Sequence, residues 1–159
     1  SFGVPETTSS NQKLSHITNL ELQRLEAPLY TQLDLGINEN LFDVTYAPEV
    51  PGNPPPTLQI ARGAIAWATE RNIDSLLVIA ATPHLWRALR DLKEAQKEAG
   101  TNIIICFSMG IDPYFDFNWF DPTGTQWYTN SRWRWMIYDW ILKLMPYKWY
   151  AQLKPNRKK

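Results

Sequence analysis

The chain has 159 residues, of which 44% are apolar, 16 are Lys or Arg and 16 are Asp or Glu. This length and apolar content are typical of one folded domain, and the charge balance excludes a disordered acidic tail or a basic nucleic-acid-binding arm. The single cysteine, Cys106, excludes an internal disulfide. No run of about 18 residues is apolar and uncharged, as a membrane-spanning helix requires. The sequence leaves open a cytoplasmic or an envelope-associated location.

Charge and aromatic side chains are distributed unevenly along the chain. Residues 1–49 contain seven acidic and two basic side chains, whereas residues 132–159 contain eight basic and one acidic. The composition includes 12 Pro and 21 aromatic residues, 8 of which are Trp. Fourteen of the aromatic residues lie between Tyr114 and Tyr150. The protein is therefore predicted to have an acidic beginning and a basic, aromatic end.

The first third of the chain predicts a loop, a helix and a strand. Residues 1–13 are rich in Ser, Thr, Asn, Pro and Gly, as loops are. The spacing of Thr18 and Glu21 is that of a capping box, which predicts a helix beginning at Thr18. Its apolar residues are spaced by three or four, Pro28 would kink or split it, and Gly36 would end it. These apolar residues are Leu22, Leu25, Leu29 and Leu33.

A βαβ unit is predicted in the middle of the chain. Residues 41–46 alternate as a strand does, residues 47–56 form a proline-rich loop, and residues 56–72 and 84–99 have helical periodicity. Gly100 is expected to end the second of these helices. The apolar runs 75–80 and 102–107 are typical of parallel strands buried on both faces, with Cys106 packed inside the second. The pairs Arg87/Asp91 and Arg90/Glu94 are expected on the solvent side of the intervening helix.

The aromatic end of the chain predicts a long loop and a helix. Residues 108–130 are expected to form a functional loop, since their aromatic side chains favour burial over disorder. A helix is predicted from Ser131 to about Met145. Its core-facing residues are expected to be Trp133, Ile137, Trp140, Ile141 and Leu144. The aromatic residues off that face are Trp135, Tyr138, Trp149 and Tyr150; they alternate with Arg and Lys and suit a membrane surface or a protein partner rather than nucleic acid.

An anion site is predicted where the strand ending at Ala80 leads into a helix. Ligands of open parallel sheets bind beyond the carboxyl ends of the strands. Thr82, His84 and Arg87 surround a helix N-terminus there, and a helix N-terminus together with a guanidinium attracts phosphate or carboxylate groups. On spacing alone, Thr82 could equally be a simple helix cap, His84 a surface residue of the first turn, and Arg87 a partner of Asp91. If a reaction occurs, His84 is the preferred general acid or base, because it is the one candidate whose pKa is near neutrality.

Two further loops follow predicted strands. In the loop 47–57, Glu49 could act as a base, bind a ribose hydroxyl or a metal, or simply be solvated. Asn53 and Thr57 could form hydrogen bonds with a ligand. Ser108, Asp112, Asp116 and Asp121 occupy the other loop, but their spacing does not match a calcium loop, so no metal site is predicted. The chain has neither a P-loop nor a Gly-x-Ser-x-Gly elbow, so catalysis stays unassigned.

The strand and helix around His84 resemble a known family. Val78-Ile79-Ala80-Ala81-Thr82-Pro83-His84-Leu85-Trp86-Arg87-Ala88, in which His-x-x-Arg-Ala enters a helix, is similar to the corresponding segment of the YdcF/SanA/ElyC family (domain of unknown function 218). In family order the chain also contains Leu35-Gly36-Ile37, Glu49, Asn53, Thr57 and Ala61. Three prolines separate Asn53 from Thr57, which the family has adjacent, and Gln59-Ile60 replaces its Glu-Asn. The resemblance covers residues 18–108.

The resemblance implies a Rossmann-like fold, S-adenosylmethionine or a nucleotide as cofactor, and a role at bacterial envelopes. The family's first strand and glycine-rich turn have no counterpart ahead of Ser1, so the chain is expected to be an N-terminally truncated or a divergent member.

The predicted architecture is one α/β domain over residues 1–159, with a three-layer α/β/α arrangement and a small, mainly parallel sheet. Its parts are a loop (1–13), an α/β core (14–108), an aromatic loop and terminal helix (109–150) and a basic tail (151–159). The leading hypothesis is binding of a small anionic or nucleotide-like ligand by Thr82, His84, Arg87, Glu49, Asn53 and Thr57. The alternative is a non-enzymatic envelope-associated or protein-interaction domain that uses the aromatic, basic C-terminal surface.

Overall fold

The computed structural model describes residues 8–49, 55–108, 119–120 and 131–153 as a mixed α/β structure. It contains five α-helices, four short strands and one 3-10 helix within these residues. In chain order these are α1 (Thr8–Leu25), β1 (Leu29–Thr31), the 3-10 helix (Leu33–Leu35), β2 (Val44–Tyr46), α2 (Thr57–Glu70), β3 (Ser75–Val78), α3 (Thr82–Ala99), β4 (Ile104–Phe107), α4 (Arg132–Leu144) and α5 (Tyr147–Leu153).

The first helix begins ten residues earlier than the capping-box spacing predicts. Helix α1 starts at Thr8, so residues 8–13 are helical and the predicted loop was wrong there. Thr18 is fully buried in the middle of α1 and cannot cap its start. Glu21 instead binds Arg24 and Ser108. The apolar face of α1, which includes Leu14 and Ile17, therefore reaches further toward the N-terminus than predicted.

The segment after α1 forms a strand instead of continuing the helix. Pro28 cannot extend a helix because it lacks an N–H donor, and β1 follows directly as Leu29–Thr31. Gly36 has φ 57° and ends the 3-10 helix, not an α-helix. The predicted strand at residues 41–46 is confirmed for Val44–Tyr46, which pairs with β1 in parallel.

Helices α2 and α3 form where the sequence predicts them. They pack on each other through small residues on α2, such as Ala61 and Ala68, and through Ala88 and Leu92 on α3. Gly100 ends α3 in the left-handed conformation, with φ 66°, and its N–H bonds to the last turn. This close packing fixes the two helix N-termini relative to each other.

Strands β3 and β4 pair in parallel, as predicted, but they are not buried on both faces. Ser75 pairs with Ile104 and Val78 with Phe107. Ile104 is 62% exposed and Leu77, whose side chain points to the same side of the ladder, is 36% exposed, so one face of this ladder lies open. Cys106 is exposed, and the prediction that it packs inside the strand was wrong.

An apolar cleft of about 310 Å³ lies between the two parallel ladders. Among the described residues, β1 pairs only with β2, and β3 only with β4. Side chains of α1, including Leu22 and Leu25, line the cleft together with Ile60 and Ala64 of α2. The edges of β1 and β3 complete its lining.

Helix α4 confirms the predicted terminal helix but turns the opposite face inward. Ser131 caps it by accepting a hydrogen bond from the Arg134 N–H. Trp135 and Leu142 are buried, whereas the predicted core residue Trp133 is 74% exposed. The other expected core residues Ile137, Trp140, Ile141 and Leu144 are exposed as well. Residues 151–153, assigned to the basic tail, belong to α5. Within the described ranges, no helix is both long enough and apolar enough to cross a membrane.

Candidate functional site

His84 links the first turns of two helices. Its Nε2 lies 3.3 Å from the Thr57 hydroxyl at the start of α2, and its Nδ1 lies 2.7 Å from Nη2 of Arg87. Because a guanidinium can only donate, Nδ1 accepts this bond and the ring proton belongs on Nε2, which donates to Thr57. The structure thus brings together three of the residues that the sequence singles out.

His84 is neutral in this environment. The side chain is buried, and burial followed by the adjacent Arg87 charge lowers the pKa of His84 well below its usual value. The pKa of His84 in the folded protein is thus lowered from the near-neutral value on which the choice of His84 as general acid or base was based. What His84 does in this geometry is orient the guanidinium and bind the Thr57 hydroxyl.

Arg87 is a buried cation held against aromatic rings. Its guanidinium carbon lies 5.0 Å from the centre of the Trp135 ring and 5.8 Å from that of Tyr138. Its side chain is 7% exposed, and its Nε has no hydrogen-bond partner. None of the ion pairs among the described residues includes Arg87. A buried donor with no acceptor is costly, so this geometry favours a ligand that accepts from Nε.

The first turn of α3 offers fewer ligand-binding groups than the spacing predicts. Thr82 is not the cap: Ala81 occupies the N-cap position, and its carbonyl accepts from the N–H groups of His84 and Leu85. Pro83 has no N–H. Thr82 therefore supplies the remaining backbone donor of the first turn, and its buried hydroxyl has no partner. This hydroxyl is a second unsatisfied group close to His84 along the chain.

A buried ion pair supports the site from one turn further along α3. Asp91 is fully buried and accepts from Arg90 at 2.9 Å and from the Tyr150 hydroxyl at 2.6 Å. Burial raises the pKa of Asp91, while the Tyr150 hydrogen bond and Arg90 oppose this rise. The expected solvent-facing pairs Arg87/Asp91 and Arg90/Glu94 are thus incorrect. Glu94 pairs with Lys97 instead.

Glu49 belongs to a different cluster. One of its carboxylate oxygens accepts the Leu33 N–H at 2.6 Å, and the other lies 3.5 Å from Nε2 of the buried Gln32. These contacts hold the 3-10 helix that follows β1. No contact between described residues joins Glu49 to His84. Asn53 lies outside the described residues.

The third predicted loop is described only at its start. Ser108 is buried and donates a short hydrogen bond to Glu21, which joins the end of β4 to α1. This hydrogen bond is the main cause of a lowered pKa at Glu21. Asp112, Asp116 and Asp121 lie outside the described residues. Within the part of the chain that is described, no cluster of His, Cys, Asp or Glu is suited to hold a metal.

Sequence reasoning missed the residues that cover the site. Trp135 Nε1 donates to the Pro83 carbonyl at 3.3 Å, and its ring lies 5.7 Å from that of His84. Arg90 donates to the Leu142 carbonyl at 3.1 Å, which fixes α4 against α3. One feature of the sequence could have indicated that this face of α3 is covered. Asp91 lies four residues after Arg87, so an acidic and a basic side chain share one side of the helix.

The chain has no significant match to a protein-family model, a curated protein or a solved structure.

Proposed function

We propose that this protein binds a small anionic ligand, such as a phosphate-bearing or carboxylate-bearing molecule, beside Arg87. The observation that carries the proposal is the unpartnered Nε of this buried guanidinium. A ligand oxygen at Nε would complete its hydrogen bonding, and charge-assisted bonds of this kind are the strong ones. Two half-buried residues near His84 have hydroxyl groups: Thr57 contacts the His84 ring, and Thr82 lies two residues before His84 in the chain.

The local charge supports an anion over a cation. Arg87 and Arg90 are both close to Asp91, and Arg90 is already paired with that carboxylate. One positive charge is thus left for a ligand. The first turns of α2 and α3 meet at the Thr57–His84 contact, and the positive ends of two helix dipoles add to the attraction.

The proposed setting is a Rossmann-like arrangement. Its support is the order of elements: parallel β1–β2 and parallel β3–β4, with α2 and α3 each following a strand. The proposed site then lies beyond the carboxyl end of β3, where ligands of open α/β sheets bind. Membership of the YdcF/SanA/ElyC family, and with it a nucleotide or S-adenosylmethionine as the ligand, is a narrower form of this proposal.

The test is calorimetric titration of the full chain with inorganic phosphate, a nucleoside monophosphate and S-adenosylmethionine. We expect at least one of them to bind, and Arg87→Gln to weaken its binding roughly 10- to 100-fold, as the loss of a charged hydrogen-bond donor does. Thr82→Val, which keeps the buried cation, is expected to weaken binding less. This second variant keeps the test decisive if Arg87→Gln does not fold.

Arg62→Gln is the matched control. Arg62 forms an ion pair with Glu98 in which both side chains are partly exposed, so its loss removes the same charge without touching the proposed site. An equal loss of binding in Arg62→Gln and Arg87→Gln would show non-specific attraction and contradict the proposal. So would binding that is unchanged in a folded Arg87→Gln variant.

The alternative function, an interaction domain that uses the aromatic and basic C-terminal surface, rests on different residues from those predicted. Three of the predicted surface residues face α3 and contact its side chains. Trp135 and Tyr138 lie against Arg87, and Tyr150 contacts Arg90 and Asp91. Of the four residues named for that surface, Trp149 alone is largely exposed. The surface available for a partner is therefore the opposite side of α4.

A further inference from the structure

The outward face of α4 is a continuous apolar stripe. Trp133, Ile137 and Leu144 are 74%, 62% and 75% exposed, and Trp140 and Ile141 lie between them. At about 100° per residue, these five side chains fall within an arc of about 100° on the helix. Trp149 of α5 adds a further exposed indole. So many large apolar side chains on one surface indicate a binding face.

The inward face of α4 explains why this stripe cannot turn into the core. Trp135, Asp139 and Leu142 lie on the opposite side and are buried. The Trp135 indole and the Leu142 carbonyl are hydrogen-bonded to the N-terminal part of α3. Rotating the helix would break both of these hydrogen bonds and remove Trp135 and Leu142 from their buried positions. The stripe is therefore held outward by specific bonds.

Basic side chains border the stripe on both sides. On the helical wheel Arg134 falls at one margin, and Arg132 and Lys143 fall at the other. Residues 131–153 contain four basic side chains and one acidic residue, Asp139, which is buried on the inward face and pairs with Lys143, so three basic charges are left uncompensated within this segment. Residues 154–159 add four more basic residues to the sequence. The charge around the stripe thus suits a negatively charged partner.

We propose that α4 lies on the surface of an anionic lipid bilayer, with its stripe among the upper acyl chains and its cations at the headgroups. Exposed Trp combined with flanking Arg and Lys is the composition of helices that lie in the membrane interface. A helix of 13 residues is about 20 Å long, too short to cross a bilayer but suited to lie along it.

Vesicle sedimentation of the full chain tests this proposal. We expect binding to vesicles of phosphatidylcholine mixed with phosphatidylserine, weaker binding to phosphatidylcholine alone, and a loss of this difference at high salt. Trp fluorescence should shift to the blue on binding. Ile137→Ser should lower the partition coefficient roughly tenfold or more, because it removes a large apolar side chain from the bilayer. Arg132→Gln should lower binding to anionic vesicles roughly fivefold.

Leu41→Ser is the matched control, since Leu41 is 69% exposed and lies far from α4 in sequence. Its binding should equal that of the parent, and circular dichroism establishes that each variant is folded. The proposal is overturned by the absence of binding to anionic vesicles at every salt concentration, or by equal losses in Leu41→Ser and Ile137→Ser. Self-association that Ile137→Ser abolishes, without vesicle binding, would assign the stripe to a protein interface and also overturn it. No residue of the anion site is changed, so the two proposals fail separately.

Discussion

Tyr150 of α5 donates its hydroxyl to the buried carboxylate of Asp91 on α3, across 2.6 Å. The Tyr150 ring also lies 4.1 Å from the Arg90 guanidinium, which binds the same carboxylate. One aromatic side chain thus contacts both members of a buried ion pair. This triad fastens the C-terminal helices to the helix that carries Arg87.

Tyr150→Phe is expected to destabilise the protein. The substitution keeps the ring but leaves one oxygen of a buried carboxylate without its donor, which costs about 1–3 kcal/mol. The free energy of unfolding from urea titration at neutral pH measures this loss. Tyr147→Phe is the control: the Tyr147 hydroxyl binds Glu98 at the surface, so its loss should cost clearly less. Equal losses in the two variants would contradict a special role for the triad.

His84 should make the stability of the protein depend on pH. The unfolded chain has a histidine pKa of about 6.5, whereas burial and Arg87 lower the pKa of His84 in the folded state. As the pH falls through the histidine pKa of the unfolded chain, the unfolded state binds a proton, whereas His84 in the folded state stays neutral. Stability from this source is thus complete above about pH 6.5 and decreases below it.

Urea unfolding at about pH 7.5 and about pH 5.5 measures this effect in the parent and in His84→Gln. The parent should lose about 1 kcal/mol more than the variant over this interval. Asp91 is present in both proteins, so its contribution cancels in the comparison. His16→Gln changes the other, exposed histidine and should behave like the parent. An identical pH dependence in the parent and in His84→Gln would show that His84 is not the source.

Gly63→Ala is predicted to disturb the contact between α2 and β1. A Cβ at Gly63 would overlap the Tyr30 hydroxyl and approach its Cζ at 3.1 Å. The Tyr30 ring packs against Trp67 at 5.6 Å, so it cannot move freely. We expect a loss of about 1–3 kcal/mol, as overpacking typically causes.

The double variant Gly63→Ala/Tyr30→Phe identifies the origin of that loss. Removing the hydroxyl relieves the worst overlap but keeps the ring, so part of the stability should return. A double-mutant cycle from urea unfolding gives the coupling between the two positions. Strictly additive losses would mean that the added methyl group acts through something other than Tyr30.

Cys106 is expected to react readily in the native protein. Its side chain is exposed on β4, on the open face of the ladder with β3. Labelling with a thiol reagent should therefore proceed at a similar rate in buffer and in urea. A rate at least tenfold slower in buffer would show that the thiol is covered.

The sequence predicted the elements that have local signals. Helices α2 and α3 have clear 3.6-residue periodicity, and Gly100 and Ser131 mark helix ends by their capping chemistry. Helix α1 was misplaced because Thr18 and Glu21 have the capping spacing while Thr18 is buried in mid-helix. Spacing alone does not say whether a threonine is at a helix end or inside.

The inward face of α4 could not be predicted from periodicity. Apolar residues occupy nearly every side of this helix, so two opposite arcs were both plausible core faces. The choice depends on partners distant in sequence: Pro83 accepts from Trp135, and Arg87 and Arg90 lie against aromatic rings. The contact of Thr57 with His84 could be predicted from the sequence, because each of the two residues lies in the first turn of a helix that follows a strand. The role of Glu49 could not be predicted, because it depends on the position of the 3-10 helix.

The cleft between the ladders divides the backbone into two hydrogen-bonded units. No backbone hydrogen bond among the described residues crosses from β1 or β2 to β3 or β4. Side-chain packing by α1 and α2 is what joins the two sides across it. Amide protons of β1 should therefore exchange with solvent through openings that leave β3 protected, so that hydrogen exchange would report two protection levels within one chain.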